Sequence, residues 1–461
     1  MPHKSTAGVS RPHGPLLLLL AALVLVVPVP AAPGGTGAGA AGPGGAGRAV
    51  PPEHVGRGDP RDGYESAAFE TRSRRLDAAV GERVDLAALA ATTPLGLPPL
   101  ANPPPASRID LGRRLFFDRR LATNGTLSCG MCHVPEQAFT QNELATPVGI
   151  EGRFVRRNAP ALYNVGHRRV LFHDGRETSL AAQIWSPLLS GNEMGNPSRD
   201  AVLARVAALP EYAAAFREAF PDGLTAANLG EALAAYERAL LSADSPFDRW
   251  YYGGDPDAAS AAARRGFFVF TDSGCARCHA FNHRYALFTD DALHRTGIEY
   301  ASRRREASPV TTLQLAPGVR VPLSADAVPR PDRGDEGAFE VTGREGDRWR
   351  YRTPSLRNVA LTAPYMHDGS LPSLDAVIDF YDGGAGDDPD RDSALAPLGL
   401  SARQRDDLRA FLESLTATNV DALAADARSV PIGDPGRVGG ADAQSGNGPQ
   451  GVGAVPPEGE R

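Results

Sequence analysis

Two short motifs contain every cysteine of the chain, and they constrain its structure more than any other feature. Each motif has the form Cys-x-x-Cys-His, and the two begin at residues 129 and 275. Two thiols at this spacing, followed at once by a histidine, are typical of the covalent attachment of c-type haem. The thiols add to the porphyrin vinyl groups, and the histidine binds the iron. The sequence therefore predicts two c-type haems, held by Cys129, Cys132, His133, Cys275, Cys278 and His279.

Paired cysteines also occur in zinc sites and in redox-active dithiols. Neither alternative explains why a histidine follows both pairs directly. No cysteine remains for a structural disulfide, which argues against a small secreted domain held together by disulfides. Haem attachment is therefore the preferred interpretation of both motifs.

Residues 1–32 have the pattern of an export signal. Lys4 and Arg11 precede an apolar run from Leu16 to Val27, and alanines follow. This run of about 12 residues is shorter than the ~20 that span a bilayer, although an uncleaved membrane anchor stays an alternative. Because c-type haem is attached outside the cytoplasm, the signal predicts a periplasmic protein.

Composition divides the rest of the chain. Residues 33–104 begin with a Gly/Ala/Pro-rich stretch and are expected to form a flexible leader. Residues 421–461 are expected to form a disordered tail. Between them the sequence predicts an all-α fold of two cytochrome c-like helical domains, residues 105–252 and 253–420, each carrying one haem.

Apolar spacing supports this helical interpretation. Two sets of apolar residues each fall on one helical face: Leu229, Leu233, Tyr236 and Leu240, and then Leu408, Phe411, Leu412 and Leu415. Ser401 is the predicted N-cap of the second helix. Strand-like alternation is scarce, and residues 302–333 are expected to be a long loop or insertion.

The charge of the chain gives no support to nucleic-acid binding. Asp and Glu number 55 against 48 Lys and Arg, for a net charge of −7. Nucleic-acid-binding proteins usually carry a basic surface instead. We therefore expect no nucleic-acid partner.

Several sequence blocks carry a family resemblance. They are Leu111–Asp118, Arg157–Pro160, Phe172–Arg176, Asn192–Gly195, Phe339–Gly343 and Thr353–Gly369. Across residues 105 to 420 the chain resembles bacterial di-haem cytochrome c peroxidases and their MauG-type relatives. The resemblance implies an enzyme that reduces hydrogen peroxide to water with electrons from a small redox protein, such as a c-type cytochrome or a cupredoxin. It is also compatible with a homodimer.

Two other functions stay open beside peroxide reduction. One is a MauG-like enzyme that uses peroxide to oxidise side chains of a partner protein. The other is a di-haem electron carrier without catalysis. An open coordination position on one iron distinguishes both enzymes from the carrier, because an iron with two strong axial ligands only transfers electrons.

The resemblance assigns the N-terminal haem, with His133 as proximal ligand, to the reaction with peroxide. Many of the peroxidases carry a displaceable distal histidine where this chain has Ile150. This iron is therefore expected to be five-coordinate without reductive activation. The matching catalytic residues are Glu193 as general acid–base, Gln183 as the group that orients peroxide, and Pro187 as a limit on pocket size. The alternative is a surface glutamate and a buried, hydrogen-bonded glutamine.

The second haem is the expected electron-transfer haem, bound by His279. The resemblance places its other ligand at Tyr381, where the peroxidases have methionine and MauG-type proteins have tyrosine. A core tyrosine is the alternative interpretation, with Met366 as the competing ligand.

Two further positions complete the comparison with the family. His173 stands where the family typically has a tryptophan between the haems, so electron hopping through this position is in doubt. Trp185 is near in sequence, but helical geometry turns it away from Gln183.

The resemblance also implies a calcium site at Asn158, Thr362 and Pro364, where oxygen ligands suit a hard cation. A capped loop asparagine is the alternative interpretation of Asn158.

Overall fold

The computed structural model describes residues 82–300, 310–316, 319–324 and 334–429. The predicted export signal and most of the predicted leader and tail lie outside these residues. The described part is mostly helical. Its α-helices are Leu86–Ala91, Ala106–Phe116, Cys129–Cys132, Leu180–Gln183, Trp185–Leu189, Arg199–Ala207, Pro210–Ala219, Ala226–Ala239, Pro246–Tyr251, Ala261–Asp272, Phe339–Thr342, Leu374–Asp382, Ala402–Glu413 and Val420–Ala427. Short 3-10 turns are Arg119–Leu121, Pro135–Gln137, Ile150–Gly152, Val165–His167, Cys275–Arg277, Glu345–Asp347 and Val359–Leu361.

One helix crossing lies beside the first cysteine motif. The helix Ala106–Phe116 packs against Ala226–Ala239. The crossing is close because Gly112 faces the other helix, where a Cβ would overlap the carbonyl oxygen of Ala232. The predicted apolar face of Ala226–Ala239 is confirmed, since Leu229, Leu233 and Tyr236 are all buried.

A second crossing of the same kind lies beside the second motif. The helices Ala261–Asp272 and Ala402–Glu413 pack together, with Gly266 against the backbone of Asp407. The predicted N-cap is confirmed: the Ser401 hydroxyl accepts a hydrogen bond from the backbone N–H of Gln404, whose side chain accepts one in return. Each motif therefore lies next to a closely packed helix pair.

The buried apolar side chains form two clusters. The first runs from Leu86 to Ala243 and resumes between Ala417 and Ala427, whereas the second runs from Phe247 to Leu415. The change between clusters therefore falls slightly before the expected boundary at 252/253. The assignment of two domains, one for each cluster, stays a prediction.

The ordered part of the chain is longer than the leader and tail predictions allowed. Leu86 and Ala90 lie one helical turn apart and are buried, and Asp85 caps their helix. At the other end Leu423 is buried, and Asp426 forms an ion pair of 3.0 Å with buried Arg113. A leader through residue 104 and a tail from residue 421 were therefore wrong where these helices form, because average composition hid short apolar repeats.

Strands are few but present, so the all-α description holds only for the greater part of the described chain. Leu293–His294 pairs with Tyr351–Arg352 in an antiparallel ladder. Val310–Ala316 pairs with Val319–Ser324, with Val310 opposite Ser324. The loop predicted for residues 302–333 was therefore wrong for these two strands, whose β-branched residues favour pairing.

No helix among the described residues is both long enough and apolar enough to cross a membrane.

Candidate functional site

The first motif forms a single helical turn, Cys129–Cys132, and His133 follows it. The Nδ1 atom of His133 lies 3.0 Å from the carbonyl oxygen of Phe139. A carbonyl only accepts hydrogen bonds, so Nδ1 carries the proton and Nε2 keeps its lone pair. Burial lowers the pKa of His133, which favours the neutral ring. The imidazole is thus in the form that binds a metal through Nε2.

The second motif repeats this arrangement. The 3-10 turn Cys275–Arg277 leads to His279, whose Nδ1 lies 3.0 Å from the carbonyl oxygen of Phe288. Burial again lowers the pKa of the ring. Both histidines therefore donate from Nδ1 to a backbone carbonyl, and this hydrogen bond fixes the ring orientation and leaves Nε2 as the basic nitrogen.

Both motifs line one cavity of about 1040 Å³. This volume is at the upper end of the ~300–1,000 Å³ that is usual for a single ligand pocket. The predicted site residues on its walls are Cys129, Cys132, His133, Asn158, His173, Gln183, Pro187, Glu193, Cys275, Cys278, His279, Thr362, Pro364, Met366 and Tyr381. The fold thus brings together all the predicted ligands and catalytic residues.

Glu193 and Gln183 lie on the wall near the first motif. Ser179 caps the short helix that ends at Gln183. Glu193 is partly exposed, and burial is the main cause that raises the pKa of its carboxyl group. The Cys132 thiol has a pKa raised to about 12, mainly by burial and secondly by the negative charge of Glu193. A carboxyl group with a raised pKa beside the first motif is suited to both accepting and returning a proton.

Ile150 lies outside the cavity wall. Its side chain is 4% exposed and packs into the first apolar cluster, against Gly195. Its backbone N–H donates to the carbonyl oxygen of Glu193. Position 150 therefore offers no ligand atom and holds the Glu193 turn in place.

Tyr381 lies on the wall near the second motif. It is on the helix Leu374–Asp382, which Ser373 caps. Burial raises the pKa of its phenol strongly, with smaller contributions from Cys275 and Cys278. Tyr381 is therefore within electrostatic reach of both thiols of the motif, while Met366 also lines the cavity.

An arginine that the sequence did not indicate shows what the cavity can hold. The side chain of Arg168 is only 6% exposed, and its Nη1 atom has no hydrogen-bond partner among the described residues. Burial and the neighbouring charge of Arg352 both lower its pKa. The nearest carboxylate, that of Asp291, is 3.5 Å away and also faces Arg352. A buried guanidinium with a free N–H group can bind a further anion, and a haem propionate would be such an anion.

His173 is part of the same wall. Its Nε2 atom donates to the carbonyl oxygen of Asn158 over 2.9 Å, and burial lowers its pKa to about 3. Trp185 packs under the Arg199 side chain and does not line the cavity, as the helical geometry predicted. His173 is thus a neutral, hydrogen-bonded imidazole.

The three residues of the expected calcium site all line the cavity. The Asn158 amide donates to the carbonyl oxygen of Ala145, and the Thr362 hydroxyl donates to a backbone carbonyl. Nearby, Asn142 contacts the carbonyl of Leu361, and its Oδ1 atom is buried without a hydrogen-bond partner among the described residues. An available buried oxygen is compatible with a hard cation.

Glu237 is a second cavity residue that sequence reasoning missed. It is buried in the helix Ala226–Ala239, and desolvation raises its pKa to about 8. Its position one turn after Leu233 on the apolar face was a usable signal, because an acid rarely faces a core without a reason. Arg168 had no such signal, since only the tertiary structure brings it to the cavity.

The comparisons with known proteins agree with this site. A family model described as di-haem cytochrome c peroxidase matches residues 106–256. The methylamine utilization protein MauG of Methylorubrum extorquens is 37% identical over 339 residues, which cover 72% of this chain and 86% of that protein. The cytochrome-c peroxidase IdrP1 of Denitromonas iodatirespirans is 35% identical over 360 residues, covering 75% of this chain and 94% of that protein.

Solved structures show the same likeness. A crystal structure of a MauG-like protein associated with microbial copper homeostasis matches with a TM-score of 0.56 and 29% identity. The match covers 77% of this chain and 97% of that one. The chain therefore belongs to the family of di-haem cytochrome c peroxidases and MauG proteins, and it is a di-haem peroxidase, an oxidoreductase that acts on hydrogen peroxide.

Proposed function

We propose that this peroxidase carries two covalently attached c-type haems in the shared cavity, one at each Cys-x-x-Cys-His motif. His133 and His279 would be the proximal ligands, and Tyr381 the second ligand at the His279 side. The observation that carries the proposal is that both imidazoles hold Nδ1 on a backbone carbonyl. The Nη1 atom of Arg168, which has no hydrogen-bond partner among the described residues, supports it as a partner for a propionate.

A haem held by His133 would supply the redox chemistry that breaks the O–O bond of peroxide. In the pocket beside it, Glu193 would accept a proton from peroxide and return it to the oxygen that leaves as water. The amide of Gln183 orients the bound peroxide by hydrogen bonding. Pro187 limits the size of the pocket beside Glu193, which favours a small substrate such as hydrogen peroxide. The buried apolar side chains around these residues keep bulk water away.

The open position is proposed to be present from the start. Ile150 has no ligand atom and is packed in the apolar cluster away from the cavity, which supports this proposal. No displaceable side chain at residue 150 then has to be removed by reduction before peroxide can bind.

Electrons would come from a small redox protein, a c-type cytochrome or a cupredoxin, and enter on the His279 and Tyr381 side. We further propose export to the periplasm through residues 1–32, with an uncleaved anchor as the alternative. A calcium ion at Asn158, Thr362 and Pro364, and a homodimer, complete the proposal.

Oxidation of a partner protein is the second candidate function. Ile150 and Tyr381 favour it, because the MauG branch shares both features, and a relative named MauG is 37% identical. His173 is unfavourable to it, since imidazole is harder to oxidise than the tryptophan expected there. A pure electron carrier is the third candidate, and it predicts that cyanide does not bind the ferric protein.

Two measurements on the purified full chain test the proposal. Mass spectrometry under denaturing conditions should find two covalently attached haems, and a variant with both Cys129→Ala and Cys132→Ala should retain one. Steady peroxide turnover with a reduced c-type cytochrome is expected for the peroxidase. Absence of turnover together with a long-lived oxidised species would favour the protein-oxidising enzyme, and absence of cyanide binding would favour the carrier.

A further inference from the structure

A central wall of the cavity joins the two haem-binding segments. His173 accepts a hydrogen bond at its carbonyl oxygen from the N–H of Arg352 over 2.7 Å, and its ring donates to Asn158 over 2.9 Å. Asn158 is two residues before Pro160, whose carbonyl lies against the His133 ring. Arg352 is two residues before Pro354, whose carbonyl lies against the His279 ring. This wall therefore connects the two sides through covalent bonds and hydrogen bonds.

His173 itself is poorly suited to carry an electron. It is a buried neutral imidazole, which is much harder to oxidise than an indole or a phenol. The three tryptophans of the chain, Trp185, Trp250 and Trp349, do not line the cavity. An oxidisable group in the wall must therefore be of another type.

Tyr351 has the required position. It precedes Arg352, lines the cavity and is 9% exposed. Its ring stacks on the ring of His367, with centroids 3.7 Å apart and planes inclined by 14°. The carbonyl oxygen of His367 accepts the N–H of Asn158 over 2.7 Å. Tyr351 thus lies in the same segment as Pro354, whose carbonyl meets the His279 ring. Its stacking partner His367 is hydrogen-bonded to the segment of Pro160, whose carbonyl meets the His133 ring.

The other tyrosines on the cavity wall are placed differently. Tyr163 and Tyr365 donate their hydroxyls to the backbone carbonyls of Val420 and Val359. Tyr381 is the proposed iron ligand. Tyr351 alone among these four phenols touches the central wall through an aromatic stack.

A proton acceptor lies beside the Tyr351 phenol. A phenol that loses an electron becomes strongly acidic, so its proton must have a base within reach. The phenol oxygen is buried without a hydrogen-bond partner among the described residues. Burial raises its pKa, and the nearby Asp335 carboxylate raises it further. Arg157 holds this carboxylate ionised through two hydrogen bonds of 2.5 and 2.7 Å. The Arg157 guanidinium also lies 5.7 Å from the centre of the Tyr351 ring.

We propose that Tyr351 is the relay through which electrons cross from the His279 side to the His133 side, in place of the missing tryptophan. The proposal rests on the proposed function. In each cycle the phenol gives one electron to the His133 side, which peroxide has oxidised, and its proton moves to Asp335. One electron from the His279 side and the same proton then restore the phenol. Peroxide is the oxidant, and the redox partner is the final reductant.

The test follows the electron directly. The full di-haem protein and its Tyr351→Phe variant are each mixed with one equivalent of hydrogen peroxide. Stopped-flow absorption reports oxidation on the His279 side, and rapid-freeze EPR reports a tyrosyl radical. The variant should oxidise the His279 side more slowly, by about tenfold or more, while its first reaction with peroxide is unchanged. The radical signal should be lost in the variant.

Two further variants keep the result decisive. Tyr163→Phe, which removes another buried hydroxyl on the cavity wall, should transfer electrons as the wild type does. Adding His173→Trp to Tyr351→Phe should restore fast transfer, because an indole is oxidisable. Unchanged transfer in Tyr351→Phe would overturn the relay while leaving the peroxidase assignment intact. A wild-type protein that does not react with peroxide would overturn the proposed function, and the relay with it.

Discussion

The backbone N–H of Ile150 donates a hydrogen bond to the carbonyl oxygen of Glu193, with the two atoms 2.9 Å apart. This contact ties the segment where related peroxidases carry a distal histidine to the turn that carries the proposed acid–base group. The Ile150 side chain is meanwhile buried against Gly195. Residue 150 is thus held away from the cavity, as the proposed open site requires.

The ferric protein should therefore contain one five-coordinate haem. Electron paramagnetic resonance of the resting protein is expected to show a high-spin signal from the His133 side and a low-spin signal from the His279 side. Cyanide should convert the high-spin signal to a low-spin one and leave the signal from the His279 side unchanged. Two low-spin signals before any addition would contradict the five-coordinate assignment.

Replacing Glu193 by glutamine should remove most peroxide turnover. An amide cannot accept and return the proton, so kcat/KM is expected to fall by about 10²–10⁴-fold while haem content is unchanged. The control is Glu151→Gln, which alters a carboxyl group that is 57% exposed and paired only with Arg153. Equal activity of the Glu193 variant and the wild type would remove Glu193 from the mechanism.

Glu193 also predicts the pH dependence. The carboxylate form takes the first proton, and burial raises the pKa of the group. The value of kcat/KM should thus fall as the pH is lowered through this raised pKa, at a higher pH than for an ordinary glutamate. The acid limb should be missing from the residual activity of Glu193→Gln.

Tyr381→Met should raise the reduction potential of the haem on the His279 side. A phenolate stabilises the oxidised iron and a thioether stabilises the reduced iron, so a rise of about 100 mV or more is expected. A spectroelectrochemical titration of both haems measures it. If Met366 is the real ligand, Tyr381→Met should leave the potential nearly unchanged, whereas Met366→Leu should alter it.

A methyl group at Gly112 should destabilise the fold. The added Cβ would overlap the carbonyl oxygen of Ala232, so the helices must separate. We expect Gly112→Ala to lower the free energy of unfolding by about 2–3 kcal/mol, measured by urea denaturation of the holoprotein. Gly346→Ala is the control, because a Cβ there meets no atom within 4 Å. Similar stability of both variants would mean that the crossing is looser than described.

Loss of the Asp335 carboxylate should leave Arg157 without its main partner. Asp335→Asn is expected to cost about 3–5 kcal/mol at neutral pH, as for other broken buried pairs. Arg157 lowers the pKa of Asp335 in the folded protein. Its stabilisation is therefore complete above the unfolded pKa of about 3.9 and is lost as the pH falls below that value. The free energy of unfolding of Asp335→Asn should therefore change less between neutral pH and pH 3 than that of the wild type.

The matched control for that measurement is Asp406→Asn. The Asp406 side chain is 71% exposed and pairs weakly with Arg409 at 3.3 Å. Its replacement should leave both the stability at neutral pH and the acid limb unchanged. Equal acid sensitivity of Asp335→Asn and the wild type would show that other carboxyl groups dominate.

The local features of the site could be predicted from sequence because they depend on neighbours in the chain. Cysteine spacing defines both haem motifs, and the serines Ser179, Ser373 and Ser401 cap the helices they precede. Helical periodicity also placed Leu229, Leu233 and Tyr236 on a buried face. These predictions need no knowledge of the tertiary structure.

The missed features depend on residues far apart in the chain. The Arg168 guanidinium becomes a buried cavity charge beside Arg352 only in the folded chain. Tyr351 acquires a possible role only through its stack on His367 and its closeness to Asp335. The short helices at Leu86–Ala91 and Val420–Ala427 were hidden in Gly/Ala-rich surroundings, where a few apolar residues decide the outcome.

The first apolar cluster is closed by Val420, Leu423 and Ala427, which lie about 290 residues after the first cysteine motif. During synthesis, this cluster cannot be completed before nearly all of the described chain has been made. Both cysteine pairs are therefore available together on a chain whose first half is still open. Deletion of the last described helix, Val420–Ala427, should consequently damage the haem site at the first cysteine motif. The site at the second motif, which is nearer in sequence, should be unaffected.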